Sequence, residues 1–364
     1  MVMDNFSQLE SGLPTRDLLH ITPEWEIPQV MEALKAALDG TGPALTFGQT
    51  SRQLVPHNCA VVIPTSGSTG EPKDVALSAA ALQASAKAAH EYLEAKPGDR
   101  WSLLLPITHI AGINVLVRAI ELGSEPVDMT TDADFTAIVP TQLHRALHGE
   151  AQLLRHLQNT KAVLVGGAAS SDALLEQARN AGINTVTTYG MSEMSGGCIY
   201  NGLPLAGVKV QIGSGGAIEL AGDMQALGYL NAPQLWSEVT HDEWFTTSDS
   251  GEILGGQVIV TGRLDDQINS GGKKISLSLI DNFLHDTFPR QRFATLALPD
   301  KEWGEKLVLV VDGSLEQNLI KEALRSAFGG HAVPKEILFN IEIPLISIGK
   351  PDRKKLRELF EKIA

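Results

Sequence analysis

Apolar positions along the chain form short runs that alternate with longer segments of helical periodicity. Runs rich in aliphatic or β-branched residues predict strands at 59–64, 101–105, 125–129, 161–165 and 183–188. Between them, apolar residues recur at helical spacing over 78–95, 110–122, 141–148 and 170–181. Helix N-caps are predicted at Ser78, Thr141 and Ser170, and helix stops at Gly123, Gly149 and Gly182. This alternation predicts an α/β fold with a parallel sheet that is covered by helices.

The pattern changes beyond about residue 204. Short β segments separated by Gly-rich turns, at 208–212, 217–220 and 258–260, predict an appended antiparallel β subdomain. The remainder predicts a helix over 276–288, strands at 294–298 and 307–311, a helix over 315–328, an extended segment at 337–343 and a final helix. We therefore expect a large N-terminal domain, residues 1–264, and a small mobile α+β domain, residues 265–364.

The composition limits the classes of partner. A chain of 364 residues is long for one domain, and its net charge of −14 argues against nucleic-acid or membrane-surface partners, which are polyanionic. Two isolated cysteines give no disulfide framework and suit a reducing compartment. The N-terminus does not resemble a secretory signal, and no apolar run approaches the length of a membrane span. These features predict a soluble cytoplasmic protein and leave a homo-oligomer open.

One segment is built to hold phosphate. Thr-Ser-Gly-Ser-Thr-Gly-Glu-Pro-Lys follows directly on the apolar run 59–63. Glycines let backbone N–H groups approach an anion, hydroxyls add donors, and a lysine adds positive charge. The spacing is not that of a Walker loop, and the alternative is a Ser/Gly-rich turn between a strand and a helix. The candidate phosphate-binding residues are Thr65, Ser66, Gly67, Ser68, Thr69, Gly70 and Lys73.

Two further polar segments fit a nucleotide site. Tyr-Gly-Met-Ser-Glu, residues 189–193, follows the last predicted strand, at the edge where open α/β sheets bind ligands. Tyr189 offers a flat face for a base, and Glu193 offers a hard oxygen ligand for Mg²⁺, although such turns are common. Asp249 lies in a turn-like Thr-Ser-Asp-Ser-Gly segment, where it would accept hydrogen bonds from a ribose diol or merely cap the turn.

The C-terminal part holds a candidate hinge and a candidate catalytic lysine. Gly-Arg-Leu-Asp-Asp, residues 262–266, precedes a Gly-rich loop at 270–275, a combination that suits a hinge or an ordinary charged linker. Lys350 stands between a glycine and a proline that starts a helix, so it is held on a defined turn. Considered alone it is a surface lysine; considered with the other segments it is the candidate for the acyl transfer step.

In this order, these segments resemble the adenylate-forming superfamily of acyl-CoA synthetases, adenylation domains and luciferases, over residues 59–350. The resemblance implies ATP and Mg²⁺ as cofactors and a hinge at Asp265. It implies that the 189–193 segment, including Tyr189, Gly190 and Ser192, contacts the nucleotide and that Glu193 serves the metal. Asp249 and Arg263 would then hold the ribose, and Lys350 would reach the carboxylate and the α-phosphate.

Residues 106–118 bear on the acid that is activated. Here His109 begins a His-x-x-Gly pattern, and Arg118 follows nine positions later. This pattern and the segments at 139–143 and 164–169, which include Gly166 and Gly167, resemble o-succinylbenzoate–CoA ligases of menaquinone biosynthesis. Their substrate, 2-succinylbenzoate, has two carboxylates, and Arg118 would bind the one that is not activated before the acyl group passes to CoA.

Alternatives remain open for both residues and for the whole chain. Arg118 would otherwise lie on the exposed stripe of an amphipathic helix, and His109 would be a packed, hydrogen-bonded residue rather than a pocket gate. The chain would otherwise be a CoA ligase for another aryl or fatty acid, or a non-catalytic nucleotide-binding relative. Asp74 departs from the superfamily pattern, since it places a negative charge near the triphosphate unless it points outward. The region before the phosphate loop is also short.

Overall fold

The secondary structure comes from a computed structural model that describes residues 14–66, 72–270, 273–288, 290–300, 304–345 and 351–361. The helices are α1 (Ile27–Leu38), α2 (Ala79–Leu93), α3 (Ile110–Leu122), α4 (Pro140–Leu147), α5 (Ala151–Asn159), α6 (Asp172–Asn180), α7 (Pro233–Val239), α8 (Leu277–Thr287), α9 (Gln317–Phe328) and α10 (Arg353–Glu361). The strands are β1 (Thr15–His20), β2 (Ala44–Thr46), β3 (Leu54–Pro56), β4 (Cys59–Ser66), β5 (Pro72–Ser78), β6 (Trp101–Ser102), β7 (Phe135–Ile138), β8 (Ala162–Val165), β9 (Thr185–Met191), β10 (Gly196–Tyr200), β11 (Leu203–Pro204), β12 (Val208–Ile212), β13 (Ala217–Gly222), β14 (Gly228–Tyr229), β15 (Thr240–His241), β16 (Trp244–Leu254), β17 (Gln257–Arg263), β18 (Gln267–Ser270), β19 (Lys273–Ser276), β20 (Arg292–Asp300), β21 (Gly304–Asp312) and β22 (Glu336–Phe339). Within these described ranges, no helix is long and apolar enough to cross a membrane.

The chain divides into two compact units. The first comprises Met1–Gly213, Ile218–Thr247 and Ile253–Ile259, and the second comprises Ser214–Ala217, Ser248–Glu252 and Val260–Ala364. The second unit therefore gains two short segments from the β region in addition to the C-terminal part. A functional domain boundary between residues 264 and 265 stays a prediction.

Two sheets form the framework of the first unit. One has the strand order β14-β5-β4-β2-β1-β3, and the other has the order β11-β10-β9-β8-β7-β6. Strands β6 to β9 are parallel neighbours, as the alternating pattern predicts for this part of the chain. The strand predicted at 59–64 belongs instead to the first sheet, where β4 pairs with β5 in antiparallel orientation. The segment 125–129 is not a strand, because only Val127 forms a single bridge, to Ser102.

Helices α2 and α3 form a layer that contacts both sheets. Leu82 of α2 and Leu116 of α3 pack in the core of the first sheet, whereas Ala89 and Val115 of the same helices pack in the core of the second. A helix between two sheets must be apolar on most of its circumference, and α3 is buried almost throughout.

The helix ends confirm some of the predicted signals. The Ser78 hydroxyl accepts a hydrogen bond from the Ala81 N–H at 3.1 Å and caps α2, as predicted. Gly123 ends α3 in the left-handed conformation, with φ of 67°. The cap predicted at Thr141 is wrong, because Pro140 already occupies the first position of α4. The cap predicted at Ser170 lies one residue later, at Ser171.

The third sheet of the fold follows the predicted change of pattern and has the strand order β12-β13-β16-β15, with β17 beside β16. The second unit holds the hairpin β18–β19 and a sheet in which β20 and β21 are antiparallel and β21 and β22 are parallel. Apolar faces of α8 and α9 cover that sheet, with Leu284, Phe293 and Ile320 fully or almost fully buried in one cluster. The predicted order of helices and strands is therefore confirmed from residue 276 onward, within the residues that the structure describes. The β18–β19 hairpin is not among the predicted elements, which have a Gly-rich loop at 270–275.

Candidate active site

The candidate phosphate loop joins two antiparallel strands. Thr65 on β4 and Lys73 on β5 are cross-strand partners, and the Thr65 hydroxyl donates to the Lys73 carbonyl at 3.3 Å. The alternative of a turn between a strand and a helix is therefore wrong. Of the other predicted phosphate ligands, Gly67, Ser68, Thr69 and Gly70 lie outside the described residues, as does the side chain of Ser66.

Tyr229 links the hairpin of β4 and β5, which carries the candidate phosphate loop, to the turn after β9 that carries Glu193. The Tyr229 hydroxyl donates a hydrogen bond to Oε1 of Glu193 at 2.7 Å. The ammonium nitrogen of Lys73 lies 4.9 Å from the centroid of the Tyr229 ring, within the range of a cation–π interaction. Burial and the neighbouring Glu193 carboxylate both raise the pKa of Tyr229. The structure thus brings together Lys73 and Glu193, which are 120 positions apart in the sequence.

The turn that carries Glu193 is fixed from several sides. It is a single 3₁₀ turn, Ser192–Met194, which ends at Ser195 in the left-handed conformation, with φ of 53°. The carbonyl of Ser195 accepts hydrogen bonds from Asn114 Nδ2 at 2.8 Å and from the Ser85 hydroxyl at 3.2 Å. Because such a conformation is costly for a residue other than glycine, these bonds from α3 and α2 hold the turn in place.

Tyr189 and Gly190 lie on β9 itself, beside β10. Tyr189 is half-buried and pairs with Ile199. A Cβ atom at position 190 would stand 1.9 Å from the Gly196 carbonyl oxygen, so the bulged pairing of β9 with β10 requires glycine there. Ser192 is buried in the turn that follows. Close backbone packing thus accounts for Gly190, whereas nucleotide contacts by these three residues stay a prediction.

The donors present fit a magnesium ion that is shared with a nucleotide. Among the described residues, no group of three or more His, Cys, Asp or Glu side chains is placed to hold a metal. Mg²⁺ usually binds through one or two carboxylates and completes its octahedral shell with water and substrate phosphates. A single carboxylate at Glu193, close to Lys73, matches that mode and does not match an all-protein metal site.

The predicted acyl-pocket residues lie at neighbouring strand and helix ends. Gly166 and Gly167 follow β8, and the Gly166 N–H donates to the Ile138 carbonyl at 3.1 Å. His109 is exposed at the N-terminus of α3, so the alternative of a packed histidine is wrong. Gly112 completes the His-x-x-Gly pattern for a steric reason, since a Cβ atom there would lie 2.2 Å from the Pro106 carbonyl oxygen.

Arg118 is buried, which overturns the alternative of an exposed helix stripe. Its side chain is only 3% exposed. Its Nη2 donates to the Tyr200 hydroxyl at 2.9 Å, and its guanidinium carbon lies 4.8 Å from the centroid of the Trp101 ring. Nε has no hydrogen-bond partner, and none of the ion pairs in the described part of the chain involves Arg118. The guanidinium is thus held by neutral groups and retains an unsatisfied donor.

His90, whose ring centroid lies 6.2 Å from that of Trp101, makes the stability of the region around Arg118 sensitive to acid. Burial, helped by the charge of Arg118, lowers the pKa of His90 to about 4. In the unfolded chain the imidazole takes up a proton at about pH 6.5, so we expect the free energy of unfolding to fall as the pH drops from 6.5 to 4. Replacing His90 by leucine should remove up to about 3 kcal/mol of this decline. Urea denaturation across that pH range measures the effect, and parallel curves for the two proteins would contradict it.

Asp74 does not point outward, so that alternative is wrong. It is buried, and its Oδ2 accepts a hydrogen bond from the Thr50 hydroxyl at 2.7 Å. Its backbone N–H donates to Asn231 Oδ1 at 2.9 Å. Asp74 therefore ties β5 to neighbouring loops of the first sheet.

The other predicted site residues belong to the second unit. Asp249 is half-buried on β16, and Arg263 is exposed at the end of the neighbouring strand β17. Asp265 follows in a 3₁₀ turn, Leu264–Asp266, and its side chain is outside the described residues, as is the whole of Lys350. Roles in ribose binding, in hinge motion and in catalysis stay predictions for these four residues.

Comparison with known proteins finds a matching family model and similar curated proteins. A family model described as AMP-binding enzyme matches residues 10–221. A probable 2-succinylbenzoate–CoA ligase of Mycobacterium tuberculosis is 35% identical over 383 residues, which cover 94% of this chain and 98% of the relative.

Solved structures share the fold. Wild-type Escherichia coli MenE with a bound m-phenylether-linked analogue of OSB-AMS has a TM-score of 0.68 and 26% identity, over 94% of this chain and 82% of that chain. o-Succinylbenzoate CoA synthetase (MenE) from Bacillus subtilis, in complex with ATP and magnesium ion, has a TM-score of 0.76 and 19% identity, over 97% of this chain and 81% of that chain. At that identity, the second likeness concerns the fold alone and supports the predicted α/β class.

Proposed function

Since this chain belongs to the AMP-binding enzyme family, we propose that it is an AMP-forming acid–thiol ligase that converts 2-succinylbenzoate to its CoA thioester. The observation that supports this proposal is the contact of both Lys73 and Glu193 with Tyr229. We take Lys73 as the phosphate-binding cation and Glu193 as the metal-binding carboxylate. The 35% identity to a probable 2-succinylbenzoate–CoA ligase over most of both chains supports the choice of acid.

The reaction has two steps that balance in atoms. A carboxylate oxygen of the acid attacks the α-phosphorus of ATP, the bond from that phosphorus to the bridging oxygen breaks, and pyrophosphate leaves. The CoA thiol then gives its proton to solvent and its sulfur attacks the acyl carbon. The bond between the acyl carbon and the phosphate oxygen breaks, and AMP leaves as the thioester forms. The first step converts a carboxylate, which is a poor electrophile, into a mixed anhydride with a good leaving group.

Positive charge is the main requirement of the first step, because two anions must meet. Lys73 supplies a fixed cation at the phosphate-loop hairpin, and the loop residues 67–70 supply backbone donors. Glu193 holds Mg²⁺, which neutralises phosphate charge when it is bound with ATP. A negatively charged protein must concentrate its cations locally in this way.

The remaining predicted residues complete the proposal. Tyr189 stacks on the adenine, while Asp249 and Arg263 hold the ribose hydroxyls. Lys350 neutralises charge on the carboxylate and the α-phosphate, and rotation about Asp265 exchanges the adenylation and thioesterification states. Both cysteines are buried free thiols, which suits a cytosolic location.

Arg118 is proposed to bind the carboxylate that is not activated. A buried guanidinium with an unpaired Nε carries a desolvation cost that an anionic partner offsets. Arginine also offers a planar, two-pronged donor set that matches a carboxylate. The choice of a diacid over a mono-acid would then arise from this one side chain.

Replacing Arg118 by methionine should reduce kcat/KM for 2-succinylbenzoate by roughly 10- to 100-fold, because a charge-assisted hydrogen bond in a dry site is lost. Methionine keeps most of the apolar stem under Trp101. The measurement is AMP release in the presence of saturating ATP and CoA, with the melting temperature of both proteins as a check on folding.

Mono-acid analogues provide the matched control for this substitution. 4-Oxo-4-phenylbutanoate and 2-butanoylbenzoate each lack one carboxylate of 2-succinylbenzoate. On whichever analogue is still activated, the wild type and the Arg118→Met variant should have equal kcat/KM. An equal loss on the diacid and on that analogue would remove Arg118 from substrate recognition.

A panel of carboxylic acids tests the proposed function itself. ATP- and CoA-dependent AMP release should be fastest with 2-succinylbenzoate and much slower with benzoate or fatty acids. A preference for another aryl or fatty acid would keep the enzyme class and reject the acid. The absence of AMP release with every acid would favour a non-catalytic relative.

A further inference from the structure

Tyr229 occupies a fixed position on the first sheet. It is the last residue of β14, which lies alongside β5 in antiparallel register, with Tyr229 opposite Val75. Tyr229 is 2% exposed, and its ring packs edge-on against Trp236 at 5.0 Å between centroids. Trp236 in turn stacks on Phe245 at 5.4 Å. The ring therefore has little freedom to move, and its hydroxyl has a defined location.

The polar contacts of this ring join groups of opposite charge. Its hydroxyl donates to Oε1 of Glu193 at 2.7 Å, while Lys73 Nζ lies 4.9 Å from its centroid. Within the described ranges, no ion pair joins Lys73 to Glu193. The aromatic ring thus accounts for how a lysine and a glutamate share one neighbourhood without neutralising each other.

The Tyr229 hydroxyl binds Glu193 without neutralising the negative charge of its carboxylate. An ionised carboxylate only accepts hydrogen bonds, and a phenol can donate one without cancelling the negative charge. Oε1 of Glu193 is thereby oriented, while Oε2 has no hydrogen-bond partner among the residues that the structure describes. A direct lysine–glutamate ion pair would instead have to break before either group could bind a ligand, at a cost in binding affinity.

We propose that Tyr229 is a positioning residue for the nucleotide: it orients Glu193 for Mg²⁺ and keeps Lys73 apart from that carboxylate for the phosphates. The inference rests on the proposed function, because it assumes that Mg²⁺ and ATP bind at this hairpin. It differs from a purely structural role of the ring, in which the hydroxyl contributes only to packing.

The test compares ATP binding with and without the metal. Calorimetric titration with ATP is carried out once in the presence of Mg²⁺ and once in EDTA, on wild type and on Tyr229→Phe. The variant should weaken binding of ATP in Mg²⁺ on the order of tenfold. It should leave binding in EDTA within about twofold, because Lys73 keeps the ring beside it.

Two variants serve as controls. Tyr92→Phe also removes one tyrosine hydroxyl, which accepts a hydrogen bond from Asn201 Nδ2 at 3.2 Å, and it should change neither titration. In a Glu193→Gln background, Tyr229→Phe should add little to the loss of the metal-dependent increment, because both substitutions act on one interaction. Melting temperatures of all variants show whether a change in binding reflects a change in folding.

The outcomes separate this inference from the proposed function. If wild type binds ATP more tightly in Mg²⁺ and Tyr229→Phe keeps the full increment, Tyr229 has no positioning role and the proposed function stands. An equal loss in Mg²⁺ and in EDTA also overturns the inference, since it indicates a general defect. If wild type shows no metal-dependent binding of ATP, both proposals fail.

Discussion

Replacing Lys350 by alanine is expected to slow formation of the acyl-adenylate by at least about 10²–10³-fold, the usual cost of losing one group that stabilises developing charge. The same variant should convert a supplied acyl-adenylate to the thioester within about threefold of the wild-type rate. The reason is that only the first step brings the carboxylate of the acid and the phosphates of ATP together, so only that step requires the additional cation.

The two half-reactions are measured separately. Acid-dependent pyrophosphate release reports the first step, and thioester formation from synthetic adenylate and CoA reports the second. Lys306→Ala is the matched control, because Lys306 is a lysine of the same unit that pairs with Glu336 at 3.0 Å on the surface. It should alter neither rate. An equal loss of both half-reactions in Lys350→Ala would contradict the division of labour proposed for this lysine.

The second large effect concerns the stability of the C-terminal unit. Arg353 begins α10 and donates to three different segments: to Asp281 at 2.5 Å, to Asp266 at 3.1 Å and to the Thr295 carbonyl at 2.9 Å. Asp281 is 5% exposed and also accepts from the Thr295 N–H at 2.7 Å. Replacing Arg353 by methionine should cost about 3–5 kcal/mol of the free energy of unfolding at about pH 9, where the carboxyl of Asp281 is ionised in the wild type and loses its charged partner in the interior.

Control variants identify the source of this loss. Combining Arg353→Met with Asp281→Asn should recover part of it, since no buried charge is then left unpaired. Lys306→Met removes only an exposed pair and should cost less than about 1 kcal/mol. Urea denaturation followed by circular dichroism measures the free energy of unfolding of the wild type and of these three variants. A loss in Arg353→Met no greater than that in Lys306→Met would show that the buried pair contributes little.

The pH dependence of Arg353→Met has a definite sign. Burial raises the pKa of Asp281 to about 7, and Arg353 counteracts part of that rise. Without Arg353 the pKa is higher still, so the variant should keep losing stability as the pH rises well above 7, whereas the loss in the wild type ends once the pH has passed its pKa of about 7. The difference between the two proteins should therefore be larger at pH 9 than at pH 6.

Local signals in the sequence account for much of the fold. The cap at Ser78, the stop at Gly123 and the periodicity between them depend on neighbouring residues, so they can be predicted without knowledge of the rest. The apolar run at 59–63 likewise predicts a buried strand. Periodicity does not say which sheet a strand joins, and the assignment of β4 to a mixed sheet depends on its parallel pairing with β2 and its antiparallel pairing with β5, which the apolar run itself does not specify.

The missed parts of the candidate site are those that depend on long-range contacts. Tyr229 belongs to a strand of two residues, and nothing in its local sequence relates it to Glu193 or to Lys73. Asn114 donates to the Ser195 carbonyl from helix α3. The only feature of the sequence that indicates a special role for Asn114 is that it is a polar residue on an otherwise apolar helix. The partners of Arg118 could not be predicted because Trp101 and Tyr200 lie on two different strands.

Exchange of labelled pyrophosphate into ATP, without CoA, tests directly whether this chain activates a carboxylic acid as an adenylate. We expect addition of 2-succinylbenzoate to start the exchange, because a reversible first step needs only ATP, Mg²⁺ and the acid. Exchange that proceeds at the same rate with no acid present, or that no acid stimulates, would contradict the proposed activity.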